Sequence, residues 1–181
     1  MKITICSSSS EAIDNKYLET AKQICNYLVT IKDIELNWGS CSAGVMGICY
    51  EIFKNANKTI NGYTTNKYVG DIINLPAAKH KILDTTYDLK KEILYNADII
   101  LCLDGGIGTV SEFFSHLEEI RSNDANKLLI LYNEHNTFDD ILTLINKLID
   151  NKFNKPNIYN YFKVARNLEE LKNIIKESAY L

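Results

Sequence analysis

The segment from Asp104 to Glu112, DGGIGTVSE, packs three glycines, two hydroxyls and two carboxylates into nine residues. The apolar run before it, DIILCL (98–103), has the character of a buried strand, and a helical pattern follows it. The glycines therefore sit in a strand-to-helix turn, where they let a ligand approach the backbone. With the helix starting near Thr109, the N–H groups of Gly106, Ile107, Gly108 and Thr109 and the Thr109 hydroxyl present a positive end to a phosphate. The helix dipole contributes about 1 kcal/mol to such a contact. Glu112 on the first turn reads in two ways. It is the capping-box partner of Thr109, or it is a carboxylate placed beside a phosphate. Two anions share one site only when they grip different parts of one ligand, and a nucleotide offers that division: phosphate on the loop, ribose at the carboxylate.

Two further loops are rich in small and hydroxylated residues, CSSSSEA (6–12) and GSCSAGVMG (39–47). Ser8, Gly39 and Gly44 are the residues in them that could meet an anion through backbone N–H groups. The first loop also reads as a plain helix cap, and the second as a tight turn with close helix packing. A Walker loop is excluded, because Val45 and Met46 stand where Lys and Ser/Thr are required. A dinucleotide fingerprint at 106–111 fails at Ser111, which takes the third glycine's place.

Elements that would position these loops alternate along the chain. KITIC (2–6) reads as a strand. Tyr17, Ala21, Ile24, Cys25 and Leu28 recur at helical spacing after it. IELNW (34–38) reads as the next strand, 44–56 as a helix and KTINGYT (58–64) as a strand. Residues 65–83 read as a connection containing Pro76, with a short strand at 81–83. Beyond it come a helix at 87–97, the strand 98–103, a helix at 109–121, the strand 127–132, and then helix, strand and helix. That order predicts an α/β fold: a Rossmann-like, doubly wound, mostly parallel sheet with helices on both faces, in one domain over 1–181. The three loops then converge at the carboxyl ends of the strands.

Composition excludes other classes. A net charge of −3 gives no general attraction to nucleic acid or an anionic membrane, and no apolar run reaches the roughly 20 residues of a membrane span. The start MKITICSSSS is too short for a signal peptide, and the five cysteines lack metal-ligand spacing, so a cytoplasmic protein is expected. No metal site is indicated, since no His/Asp/Glu cluster has ligand spacing. Apolar residues on more than one helix face, among them Ile48, Phe53, Phe113, Phe114 and Leu117, predict a homodimer.

DGGIGTVSE resembles the PGGxGTxxE signature of the LONELY GUY family of cytokinin riboside 5'-monophosphate phosphoribohydrolases, long mislabelled lysine decarboxylases. WGSCSAGVMG (38–47) resembles that family's YGGGxxGLMG segment, and CSSSSEA its CGSS loop. The resemblance runs from near residue 2 to near residue 178. It implies a Rossmann-like homodimer that cleaves a nucleoside 5'-monophosphate to base and ribose 5-phosphate without an organic cofactor. It also implies a catalytic Glu112 and a phosphate loop of Gly105, Gly106, Gly108 and Thr109. Three departures stand out. Asp104 replaces the motif's proline and puts a negative charge near the phosphate. Leu89-Lys90 replaces the family's Arg-Lys pair, leaving Lys90 as a second catalytic candidate or a solvated helix residue. Thr86-Tyr87 replaces a Met-His pair. The base would pack on an aromatic residue, Tyr87 or Tyr95. A module of the same fold that binds a nucleotide without cleaving it is the alternative. A decarboxylase is disfavoured, because no lysine has a pyridoxal-phosphate setting.

Overall fold

The computed structural model describes residues 1–123 and 126–178. Seven strands, β1 (Lys2–Cys6), β2 (Glu35–Trp38), β3 (Thr59–Thr65), β4 (Lys79–Leu83), β5 (Ile99–Cys102), β6 (Leu128–Tyr132) and β7 (Lys163–Ala165), form one sheet in the order β4-β3-β2-β1-β5-β6-β7. Every adjacent pair is parallel. Parallel strands need crossovers, and these are α1 (Asn15–Leu28), α2 (Gly44–Asn55), α3 (Thr86–Tyr95), α4 (Ile107–Asn123) and α5 (Asp139–Asp150), with α6 (Leu168–Ser178) closing the chain. Two 3-10 stretches, Asn66–Asn74 and Pro156–Asn160, lead into β4 and β7.

Strand alternation sorts the core into two layers. Ile3, Ile5, Ile99 and Leu101 pack with Ala21, Cys25, Cys49 and Phe53 of α1 and α2 and Leu171 of α6. Ile100 and Cys102, one residue out of phase, pack with Leu94 of α3, Phe113 and Leu117 of α4 and Ile145 of α5. The sheet is thus doubly wound, as the element order implies. Of the five residues expected to offer a dimer face, Phe53, Phe113 and Leu117 are consumed by this intrachain core, and Ile48 and Phe114 are half-buried.

Chain direction reverses between β1 and β5. From β1 the chain steps outward to β2, β3 and β4; α3 then carries it back to β5, and it proceeds to β6 and β7. Loops after β1 and β5 diverge to opposite sides, which opens a crevice at their carboxyl ends. Three boundaries differ from the sequence reading. The 65–83 connection holds a five-residue edge strand, Lys79–Leu83, longer than 81–83. Helix α4 begins at Ile107, two residues before Thr109. The serines after β1 do not cap α1; its N-cap is Asp14, whose side chain accepts from Lys16 N at 3.1 Å. Among the described residues no helix is long and apolar enough to cross a membrane.

Candidate functional site

The crevice between β1 and β5 is a cleft of about 340 Å³. Its walls are the loop after β1, the turn before α2, the first turn of α4 and the flank of α3. Gly108, Thr109 and Glu112 face it from α4. Because α4 starts at Ile107, its first-turn N–H groups have no partner within the helix, and the ladder begins with Val110 N donating to Gly106 O at 3.1 Å. The glycines of this turn differ in what they do. A Cβ on Gly105 would collide with the Thr109 hydroxyl, so Gly105 seats the buried Thr109. Gly106 and Gly108 have open space where a side chain would be, and that is where another molecule can approach the backbone.

The loop after β1 is built differently from its sequence reading. Ser7 and Ser9 line the cleft, whereas Ser8 holds the loop in place: its carbonyl accepts from Met46 N at 3.2 Å and its hydroxyl from Ser10 N at 3.1 Å. Helix α2 has no side-chain cap, and the Ser8 carbonyl takes that N–H. Gly44, at φ +58°, lies against the backbone of Ser8 and Ser10, so its glycine is required by loop-to-helix contact and not by exposure to a ligand. Gly39 does border the cleft, beneath the Met46 side chain. Ser7 Oγ is buried and has no partner. Four consecutive serines do not single it out in the sequence, because only strand phase and the switch point distinguish it.

Ser40, also on the cleft, adopts φ +53°, a region that non-glycine residues seldom occupy. Its hydroxyl lies 3.0 Å from His80 Nδ1, and His80 Nε2 lies 3.0 Å from Leu75 O. A carbonyl only accepts, so Nε2 carries the proton and Ser40 donates to Nδ1. The pair fits because residue 62 is glycine; a Cβ there would strike both side chains.

Glu112 is half-buried, and loss of hydration pushes its carboxyl above the ordinary range, opposed by the Cys6 thiol and the Lys90 charge. Cys6 is itself pushed up, by the Cys102 thiol first and then by burial and Glu112, so it remains a protonated donor beside the carboxylate. Lys90 does not line the cleft. Its Nζ donates to Ser111 Oγ at 2.6 Å, and its charge acts on Glu112 from the neighbouring groove between α3 and α4. Leu89, one residue earlier and about 100° around the helix, does face the cleft, with Thr86 and Ile93. Among the described residues lining the cleft, none is Lys or Arg.

Asp104 is 6% exposed and turned toward the loop after β6, where it meets Thr137 and His135. Burial raises its carboxyl above the usual range, and its Oδ1 has no partner. It does not border the cleft where the phosphate was expected to sit. Tyr87 borders the α3/α4 groove, while Tyr95 lies at the end of α3 under Lys91 and borders neither cavity. No three His, Cys, Asp or Glu side chains among the described residues gather as a metal site would require.

Fold and cleft together define a Rossmann-like α/β protein with an open helix start and a half-buried carboxylate at its switch point. Residues 40–175, more than half of the chain, match the family model described as "Possible lysine decarboxylase", and the chain belongs to that family. It is 25% identical over 177 residues to the cytokinin riboside 5'-monophosphate phosphoribohydrolase LOG7 of Arabidopsis thaliana, covering 97% of this chain and 81% of that one. Among solved structures, the molybdenum cofactor carrier protein of Chlamydomonas reinhardtii is similar with a TM-score of 0.71 at 15% identity, over 99% of this chain and 98% of that one. The molybdenum cofactor binding protein of Rippkaea orientalis gives 0.69 at 20% identity, over 97% and 95%. Likeness at these identities concerns the fold.

Proposed function

We propose that this chain is a phosphoribohydrolase that cleaves the N-glycosidic bond of a nucleoside 5'-monophosphate, releasing free base and ribose 5-phosphate. The observation that carries the reading is Glu112: a carboxylate with raised proton affinity on the second turn of α4, facing the same cleft as Gly108 and Thr109 of the open first turn. The phosphate binds the unpartnered N–H groups of that turn and the Thr109 hydroxyl, which holds the ribose against Glu112. As the C1'–N bond breaks, its electron pair leaves with the base and positive charge grows on the sugar. The Glu112 carboxylate opposes that charge. A water then bonds to C1', its proton passing to the carboxylate and on to the departing base. No residue of this scheme calls for a cofactor.

One observation favours a second reading, a nucleotide-binding or carrier module without turnover: a leucine, Leu89, occupies the cleft wall where the hydrolase signature has arginine, and among the described residues no Lys or Arg lines that wall. Incubating the protein with a panel of nucleoside 5'-monophosphates and separating the products by chromatography tests both. Free base and ribose 5-phosphate in equal amounts support the hydrolase. Binding of the same nucleotides with no release selects the carrier.

A further inference from the structure

We infer that the groove between α3 and α4 seats the nucleobase, and that the His116 imidazole at its wall reads the base edge. This rests on the placement of phosphate and ribose given above. Glu112 and His116 are four residues apart on α4 and so lie on one face, about 6 Å apart along the axis. Glu112 faces the cleft and His116 the adjoining groove, so a ribose held at Glu112 with its base turned along α4 places that base at His116. Lys90 spans the same seam, bonded to Ser111 and acting on both Glu112 and His116.

His116 supplies the second observation. It is 1% exposed, borders the groove, and its Nε2 has no partner. Buried polar atoms are almost always paired, so an orphan nitrogen on a residue that borders a cavity is the atom assigned to the base edge. Burial and then the Lys90 charge lower its pKa to about 4, so near neutrality the ring is uncharged and offers hydrogen bonds suited to a neutral base. The groove measures about 210 Å³, below the roughly 300 Å³ at which pockets take whole drug-sized ligands; one flat ring system is its natural occupant. Leu94 gives it an apolar floor, and Tyr87, 71% exposed, stands at its rim with a free ring to stack on. Its charges balance, Lys90 and Lys91 against Glu118 and Glu119, which disfavours a second phosphate there.

Calorimetric binding of ribose 5-phosphate and of nucleoside 5'-monophosphates to the wild type, His116→Leu and Tyr87→Ala tests the inference, with melting temperature and solution mass recorded for each. The expected result is a loss of about tenfold or more in nucleotide affinity for both variants, with ribose 5-phosphate affinity unchanged. His116→Leu should melt no lower than wild type, since it removes an unpaired buried polar atom; Tyr87 is exposed, so its variant folds in any case. Equal losses for both ligands, or no loss for either, overturn the base site. A wild type that binds ribose 5-phosphate as tightly as nucleotide overturns it too, while leaving the phosphoribosyl reading intact. A wild type that binds neither overturns both. A variant that keeps nucleotide affinity but changes oligomeric mass assigns the groove to a second copy of the chain.

Discussion

The Cys6 thiol at the end of β1 lies within hydrogen-bonding reach of the Glu112 carboxylate on α4, across the point where the sheet reverses direction. The contact ties the end of β1 to α4 and gives Glu112 a donor while leaving its burial uncompensated enough to raise its pKa. Glu112→Gln therefore has two separable effects. Nucleotide binding should stay within a few-fold, while turnover falls by about two orders of magnitude or more, since the amide keeps the shape and loses the charge. Stability should move the other way. With the native pKa above the unfolded one, the folded state holds more protons between the two values, so Glu112 removes stability as pH rises through that window. Melts at acid and neutral pH should show the glutamine variant gaining only at neutral pH. A neutral-pH loss would mean that Glu112 is a structural cap.

Leu89 faces the cleft and is half-buried, so an arginine there can reach solvent or a ligand oxygen without being sealed in the core. Leu89→Arg should raise base release from a nucleoside monophosphate. It should cost less than about 1 kcal/mol, or roughly 2–4 °C in Tm for a chain of this size. A fully buried unpaired guanidinium would instead cost about 3–5 kcal/mol and unfold the protein well below that. Turnover and a melt of this one variant decide between the two.

The adjacent glycines of the α4 turn make a paired test. Gly106→Val fills open space at the mouth of the turn, so it should leave Tm nearly unchanged while abolishing the preference for a nucleoside monophosphate over the matching nucleoside. Gly105→Ala drives a methyl into Thr109 and should cost about 1–3 kcal/mol. If Gly106→Val leaves the nucleotide preference intact, the phosphate is not held on this turn.

How much of this was legible in the sequence depends on how each residue's neighbours are specified. The central strands could be read because burial on both faces leaves a continuous apolar run, as in Ile99–Cys102, where all four residues are buried. Edge strand β4 was legible only over 81–83, since the full stretch KHKIL is largely solvated and carries no such pattern. Glu112 and the open glycines were readable as local spacing within one turn. Lys90 and Leu89 illustrate the limit: a one-residue step rotates a helical side chain by about 100°, and only the packing of α3 on α4 shows which of the two meets the cleft. Ser40 and His80 are forty residues apart and meet through β2, β3 and β4 pairing, which leaves no trace in local sequence. For His116 a signal existed, its four-residue spacing from Glu112, but inside FFSHLEEI it reads equally as a core histidine.

The homodimer expected from the sequence has a narrower basis, now that Phe53, Phe113 and Leu117 belong to the core. Ile107 is 86% exposed at the start of α4, and half-buried Val110 and Phe114 follow it at three- and seven-residue spacing on the same helix face, which leaves these three apolar groups of α4 for an isologous contact. Light scattering at micromolar concentration should give twice the chain mass, reduced to one chain by Ile107→Asp. A monomeric mass for the wild type would exclude the dimer.

His116 links the stability of the fold to pH. Its pKa falls from 6.5 to about 4 on folding, through burial first and the Lys90 charge second, so the unfolded chain binds a proton that the native state refuses between those values. Unfolding free energy then rises with pH across that window, and the full penalty, on the order of 3 kcal/mol, is felt below it. His116→Leu removes the proton-linked term. Chemical denaturation of wild type and variant at pH 7, 5.5 and 4 should show the two diverging as pH falls, with the leucine protein losing less of its stability. Bound nucleotide should reinforce the wild type at pH 7 more than at pH 4, because protonation of the ring takes away its capacity to accept from the base. Parallel stability curves for the two proteins would mean that the imidazole is hydrated or already paired, and the groove would then lack the neutral, unpartnered nitrogen on which base recognition depends.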